Sequence, residues 1–376
     1  MAALSIDVLR AEQGDCLVLH HGDDVVLIDG GPPGVYQATL KPYLQALMAA
    51  RPQPLFLQTV LVSHIDDDHI CGLADMFAEA VDRQENDLGP AEWRAGELWL
   101  NAFGALTGAS PAAGAGDVKG AALDQLVETA PGGESKAIAT SIKNGIALNQ
   151  DASDLGVARN ASFGGGLIQR AGAHATVQIV PGLTFTVLSP DKPELDNLQA
   201  KWVAWEARHP AHEAANVDRS VYNLSSIVVL ARAGERTLLL TGDARSDDIV
   251  AGLEGEGVLT AAGPLAVDVL KLPHHGSSRN VDATFFARVR ARHYVISANG
   301  RDGNPENETL RLLCDSRLAD HDPWTLWLTY GKQAGDGKPG LHERLSAFFA
   351  ARQAQQTLDV RIAAPGEHHT IALGDT

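Results

Sequence analysis

Residues 61–72 read LVSHIDDDHICG, with three consecutive aspartates set between His64 and His69 directly after an apolar run. Like charges in a row repel, so either abundant water or a bound cation must compensate them. Neutral imidazole and carboxylate oxygen are the donors that hold zinc, manganese or iron. While the chain is extended, residues two apart point the same way, so His64, Asp66 and Asp68 can share a side. The adjacent Asp68–His69 pair can diverge as the chain turns and serve different sides of a centre, whereas Asp67 is the aspartate least suited to ligation. The plainer alternative is a solvated acidic loop in front of a helix, because aspartates favour a helix N-terminus.

Two further stretches weigh against that alternative. In RTLLLTGDARSDDI an apolar strand ends at Thr241–Gly242–Asp243, which places a carboxylate where it can bridge two cations. In DVLKLPHHGSSRN another strand ends in Pro273, followed by His274, His275, Gly276 and Ser277. Singly, each could be an ordinary turn or a surface pair. Together the three loops offer four imidazoles and three or four carboxylates, each set directly after an apolar strand. Lys271 and Arg279 flank the last loop and could receive a phosphate or be simply solvated. His209 and His212 lack the HExxH order of a zinc protease helix, and the tandem pairs His20–His21 and His368–His369 are left outside the site. No Gly-rich loop is followed by Lys-Ser or Lys-Thr, and no GxSxG elbow occurs, so neither a phosphate loop nor serine hydrolysis is indicated.

The elements that must position these loops read as short strands and helices. SIDVL, CLVLHH, DDVVLI and LFLQTVLVSH are strands, and TLKPYLQALMAA has helical spacing, as does the segment entered after His69. Strands return at TVQIV, LTFTVLS, SSIVVLA, TLLLTGD, VDVLKLP and HYVISA, with helices expected near 192–208, 281–291, 306–319 and 340–355. Residues 84–175 are rich in Ala and Gly and read as an insertion on a single domain spanning 1–376, with C-terminal elements at 316–376. Two strand-rich halves that each carry helices predict a layered α/β sandwich.

Bulk properties set the frame. The chain of 376 residues is 45% hydrophobic and 20% charged, as expected of a folded globular protein. A net charge of −17 argues against a surface that wraps DNA non-specifically, yet it leaves room for a locally positive, metal-loaded cleft. Cys16, Cys71 and Cys314 are scattered, which predicts no disulfide framework and a reducing compartment. The opening MAALSIDVLR is not a secretory signal and no apolar stretch spans a bilayer, so the expectation is a cytoplasmic protein without a membrane partner.

With these motifs in view, the sequence resembles the metallo-β-lactamase superfamily, whose pattern is His-x-His-x-Asp-His after a strand, a distal aspartate in a Gly-Asp turn and a late histidine. His64 and Asp68–His69 match the first, Asp243 the second, and His274 or His275 the third. The nearest likeness is to the hydrolase domain of ComEC-type DNA-uptake proteins and their free-standing relatives, through QGDCLVLHHGDDVVLIDGG, TGD and HHGS, over roughly residues 4–83 and 177–315. Asp66 stands where the family has a second histidine, Asn223 falls about where a middle histidine would, and Asn304 replaces the histidine of a Gly-His-Pro turn.

The resemblance implies a four-layer αββα sandwich and two divalent ions, zinc or manganese or iron, with a ligand set of His64, Asp66, Asp68, His69, Asp243, His274 and His275. One metal would take His64, Asp66 and Asp243. The other would take Asp68, His69, Asp243 and one of the late histidines, leaving the spare one to donate a proton. It implies catalytic roles for Asp68 and His274, substrate contacts from Asn304 and Ser277, and a hydrogen bond from Asp29 to the back of a ligand histidine. The expected activity is hydrolysis of a phosphodiester in a nucleic acid or nucleotide. Hydrolysis of another ester, a thioester or a lactam is the first alternative, and a catalytically decayed metal-binding interaction module the second.

Overall fold

Apolar alternation in the N-terminal runs produces β1 (Ala3–Val8), β2 (Leu17–His21) and β3 (Asp24–Ile28), an antiparallel set to which β4 (Leu55–Leu61) adds in parallel with β3. The computed structural model describes residues 2–51, 54–89, 91–101, 134–170, 175–196, 225–319, 322–331, 337, 340–353 and 357–375. The first sheet also takes β5 (Trp93–Ala95), β6 (Glu97–Trp99), β7 (Ala158–Arg159) and, at its other edge, the C-terminal β16 (His369–Asp375).

The second sheet is built from β8 (Thr176–Val180), β9 (Leu183–Ser189), β10 (Val228–Ala233) and β11 (Arg236–Leu240), which pair antiparallel in turn. It continues in parallel through β12 (Leu265–Lys271), β13 (Val289–Ile296), β14 (Trp324–Leu328) and β15 (Leu358–Ile362). The described helices are α1 (Lys41–Ala49), α2 (Asp67–Glu85), α3 (Glu134–Asp154), α4 (Ser246–Gly255), α5 (Ala283–Arg288), α6 (Asn307–Ser316) and α7 (Leu341–Gln353).

Period-two alternation divides each central strand between two cores. Val26, Ile28 and Leu61 of the first sheet share one cluster with Phe185, Val229, Leu240 and Val269 of the second. Their neighbours Val25, Leu27 and Val60 turn to the opposite face and pack on Leu44, Ile70, Leu73 and Phe77 of α1 and α2 and on Leu148 of α3. Likewise Leu239, Leu270 and Tyr294 meet Ile249, Phe285, Leu310 and Leu345 from α4, α5, α6 and α7. The sheets are therefore apolar on both faces, and each such buried side chain contributes about 1.5–3 kcal/mol. The strand ends that carry the polar loops are held in place by that packing.

The segment expected as an insertion, 84–175, supplies β5, β6, β7 and α3. Trp93, Leu98, Trp99, Leu100 and Leu148 from it are buried in the common cores. Residues 102–133 and 171–174 within it lie outside the described residues, as do Asn223, His209, His212 and the helix expected beyond residue 196.

Two glycines let the loops of the first sheet approach α2. Gly72 donates from its amide to Gly31 at 3.0 Å, and a Cβ built on it would stand 1.9 Å from the Gly30 carbonyl oxygen. At Gly14 a Cβ would meet the Asp68 carbonyl oxygen at 1.8 Å. Neither neighbour is a flexible side chain, so an added methyl must push α2 away from the β3 end. Gly72→Ala is expected to lower stability by about 2–4 kcal/mol, the range of severe overpacking. Urea unfolding of the variant beside the parent checks this.

Candidate metal centre

The polar loops leave the strand ends just described. β4 runs through Ser63 and His64 into Asp66, which caps α2 in extended conformation (φ −61°, ψ 145°) without its carboxylate bonding to the helix. Asp67 and Asp68 occupy the first turn of α2, where the helix dipole favours them. The acidic triplet thus sits at a helix start, and this separates the three side chains. Asp67 turns away to α3, accepting from Ser141 Oγ at 3.0 Å.

Asp243, at the end of β11, is 2% exposed and lies at the centre of four imidazoles. Its Oδ1 is 3.3 Å from His69 Nε2 and 3.4 Å from His275 Nε2. Its Oδ2 is 3.6 Å from His274 Nε2 and 3.9 Å from His64 Nε2. Asp68 Oδ2 joins the first group at 3.5 Å from His275 Nε2, and Asp66 Oδ2 joins the second at 3.8 Å from His64 Nε2. All seven residues expected as ligands from sequence are brought together here, and they divide between the two oxygens of one carboxylate. Both late histidines take part, one on each side.

Each ring is held from behind. His69 Nδ1 pairs with Asp29 Oδ2 at 2.8 Å, His64 Nδ1 with Ser63 Oγ at 3.1 Å and His274 Nδ1 with Asn280 Oδ1 at 2.9 Å. His275 Nδ1 donates to the Ser297 carbonyl at 2.9 Å. Fixing Nδ1 in this way points Nε2 inward on all four rings, the tautomer control that metal-binding histidines need. Asp29 itself adopts a left-handed conformation (φ 57°) and also accepts from the Ser63 amide and hydroxyl, both at 2.7 Å.

The donor set fits a divalent cation on observations of the protein alone. His64 Nε2 and Asp243 Oδ1 are buried without a hydrogen-bond partner. His69 Nε2 and His275 Nε2 face each other at 3.2 Å, a contact that two lone pairs would not tolerate without a proton or a metal between them. Burial works to lower the His69 and His275 pKa values, but Asp243, with Asp29 beside His69 and Asp15 beside His275, overrides it and raises both well above 6.5. Burial and the neighbouring His69 hold His64 down at about 3. Burial pushes Asp243 upward, yet His275, His274 and His69 bring it well below 3.8.

Several sequence expectations change here. Lys271 cannot receive a phosphate: it is 1% exposed and its ammonium is ion-paired with Asp15. Ser277 is buried and its hydroxyl accepts from the Arg279 amide at 3.4 Å, which ties it to its own loop. Asn304 donates from Nδ2 to the His274 carbonyl at 3.3 Å, so it braces the loop backbone. Asp15, Asn280 and Ser297 were not singled out from sequence. Asp15 lies with His69, Asp243 and His275 so that one potential ligand atom from each falls within 4.8 Å of the others. Only their adjacency to recognised motifs, QGD for Asp15 and HHGSSRN for Asn280, could have flagged two of them. A cavity of about 910 Å³ is lined by Leu9, Arg10, Tyr43 and Tyr330 among others, and by none of the candidate ligands.

Two measurements follow from this geometry. In metal-free protein the raised pKa values of His69 and His275 give stability that is complete below about 6.5 and is lost as pH rises through the folded values. A metal takes the place of the protons, so the gap in Tm between zinc-loaded and metal-free protein is expected to widen from pH 6 to pH 9, read by calorimetric scans. Asp29→Asn removes the anionic partner of His69 and is expected to weaken zinc affinity about 10–100-fold, read by chelator competition.

Residues 9–102 match the family model of the metallo-beta-lactamase superfamily. That stretch contains Asp15, Asp29 and the loop from His64 to His69, while Asp243, His274 and His275 lie beyond it. Microtubule-associated protein 1S of Bos taurus is similar to this chain, with 33% identity over 112 residues that cover 30% of this chain and 10% of that protein. The chain therefore spans about a tenth of the length of the curated relative it matches. The family match of the N-terminal part and the cluster around Asp243 agree on a candidate metal site in a mixed α/β fold of two sheets.

Proposed function

We propose that this protein is a binuclear metal-dependent hydrolase acting on a phosphodiester. The observation that carries the reading is the division of Asp243: its two oxygens face two separate imidazole–carboxylate groups. His64, Asp66, His274 and Asp243 Oδ2 would hold one ion, and Asp68, His69, His275 and Asp243 Oδ1 the other. Zinc suits the four imidazoles, and the three carboxylates suit manganese or iron equally. When bound, such a pair lowers the pKa of a water and neutralises charge that develops on the substrate.

The protein's own residues do the rest. The His64, Asp243 and His275 side chains are 0%, 3% and 3% exposed, so they form the floor of the site and exclude water. Asp68 and His274, with side chains 26% and 32% exposed, mark the face from which a substrate approaches. With both late imidazoles drawn to Asp243, no spare histidine remains in the cluster to donate a proton. Protonation of the leaving group then falls to solvent. Nδ1 of His274, held by Asn280, keeps the most exposed ring from swinging outward. The framework we propose is a single domain of the four-layer αββα type, its cleft bordered by the Ala/Gly-rich segment.

A phosphodiester is favoured on the likeness of the QGD, TGD and HHGS motifs to ComEC-type hydrolase domains, and either a nucleotide or a nucleic-acid end would serve. The three free, buried cysteines suit a reducing interior such as the cytoplasm. No described helix is long and apolar enough to cross a membrane. Elemental analysis of protein purified without chelators should give close to two equivalents of zinc, manganese or iron per chain, and Asp243→Ala should lose both. With bis(p-nitrophenyl) phosphate and dinucleotides, chelation should abolish turnover and Asp68→Ala should lower kcat by about 10²-fold or more. Metal uptake without turnover on phosphodiesters, other esters, thioesters and lactams would support a binding module. A metal-free protein that takes up nothing on titration would sink the proposal.

A further inference from the structure

Behind the Asp243 Oδ1 side lies a charged pair with no exit to solvent. Asp15 and Lys271 are each 1% exposed, and their carboxylate and ammonium are in direct contact. Lys271 Nζ also donates to the Gly242 carbonyl at 3.3 Å and stands 4.0 Å from Asp243 Oδ1. Asp15 Oδ1 is 3.5 Å from His275 Nδ1, Asp15 Oδ2 is 3.9 Å from His69 Nδ1, and the Asp15 amide donates to the Asp68 carbonyl at 3.2 Å. The pair thus touches the Asp243 loop and each of the other three residues grouped with Oδ1.

A buried ion pair of this kind gives little net stability compared with apolar packing, so its presence at one side of a functional cluster calls for another account. Asp15 has a ligand atom within reach of the cluster, but the ammonium already neutralises it, and the two Nδ1 atoms it faces are bound to Asp29 and Ser297. We propose that Lys271 and Asp15 are positioning residues that set the affinity of one metal position, the one on Asp243 Oδ1, with Lys271 serving as a resident cation that keeps Asp15 out of the ligand set. This rests on the binuclear reading above. Lys271 Nζ holds the Asp15 carboxylate and the Gly242 carbonyl at once, so it ties the Asp15 loop to the peptide that precedes Asp243.

The test is zinc titration of the full chain, followed by calorimetry and by elemental analysis after dialysis. The parent is compared with Asp15→Asn and with the double variant Asp15→Asn/Lys271→Met, which removes both charges at nearly constant volume. Thermal scans of the metal-free proteins establish that each variant is folded. In both variants one zinc equivalent should weaken at least tenfold while the other keeps its parental affinity. A purely structural role would weaken the two equivalents alike, and two unchanged equivalents would deny any role; either result overturns the inference. Failure of both variants to fold would also overturn it, because the pair would then serve the fold as a whole. If the parent takes up no zinc, the binuclear reading itself fails, which the comparison of variants cannot cause.

Discussion

One buried carboxylate sets the terms for everything around it. Asp243 is almost fully enclosed, and a charge taken out of water must be matched by positive groups or lost by protonation. The protein surrounds it with four imidazoles and a lysine, and its own pKa is driven down by His275, His274 and His69 against the effect of burial. The His69 and His275 imidazoles, raised by Asp243, can accept a proton in metal-free protein and give it up to a cation. The lysine is paired with Asp15.

This arrangement depends on a backbone that is stiff where the candidate ligands depart. Asp29 and His64 follow β3 and β4, which pair in parallel, and Asp243 and His274 follow β11 and β12, which also pair in parallel. The strands are apolar on both faces and cannot slide without moving two cores at once. Polar bonds then finish what packing begins, since each of the four imidazoles is tied at Nδ1. Ser297 accepts from His275 Nδ1 through its carbonyl and donates from its hydroxyl to the Gly14 carbonyl at 2.6 Å, so one residue links the late histidine to the Asp15 loop.

Much of this could be read from the amino-acid order, for a physical reason. A strand buried on both faces is an uninterrupted apolar run, and a ligand loop at its end is a polar burst, so LVSHIDDDH, LLLTGD and LKLPHH stand out locally. β10 to β13 were legible as strands in the same way. What stayed hidden depends on contacts between distant segments. Lys271 looks like any lysine beside a histidine motif until Asp15 is brought against it. Asn280 and Ser297 carry no periodic signal at all. The Ala/Gly-rich composition of 84–175 disguised α3 and the buried Trp99, because small residues in a helix face say little about what the larger ones pack against.

The tandem histidines show how far local strain is accepted to satisfy Asp243. His274 (φ 47°, ψ 49°) and His275 (φ 56°, ψ 21°) are both left-handed, and Gly276 follows at φ 83°. For residues with a Cβ this costs roughly 1–2 kcal/mol each. An extended chain would send adjacent side chains to opposite faces of a strand, and a right-handed turn would place them about 100° apart on a helix. The left-handed turn instead lets neighbouring rings reach the two oxygens of a single carboxylate. It is held by His274 N to Gly242 O at 3.1 Å, Ser277 N to His274 O at 2.9 Å and Glu306 N to Gly276 O at 3.1 Å. The bond to Gly242 connects the strained turn to the peptide that precedes Asp243, and the same carbonyl accepts from Lys271. Strain in one loop and buried charge in another therefore converge on the backbone of Gly242, where a left-handed glycine (φ 49°) lets the chain turn without a Cβ meeting Ser63 at 3.0 Å.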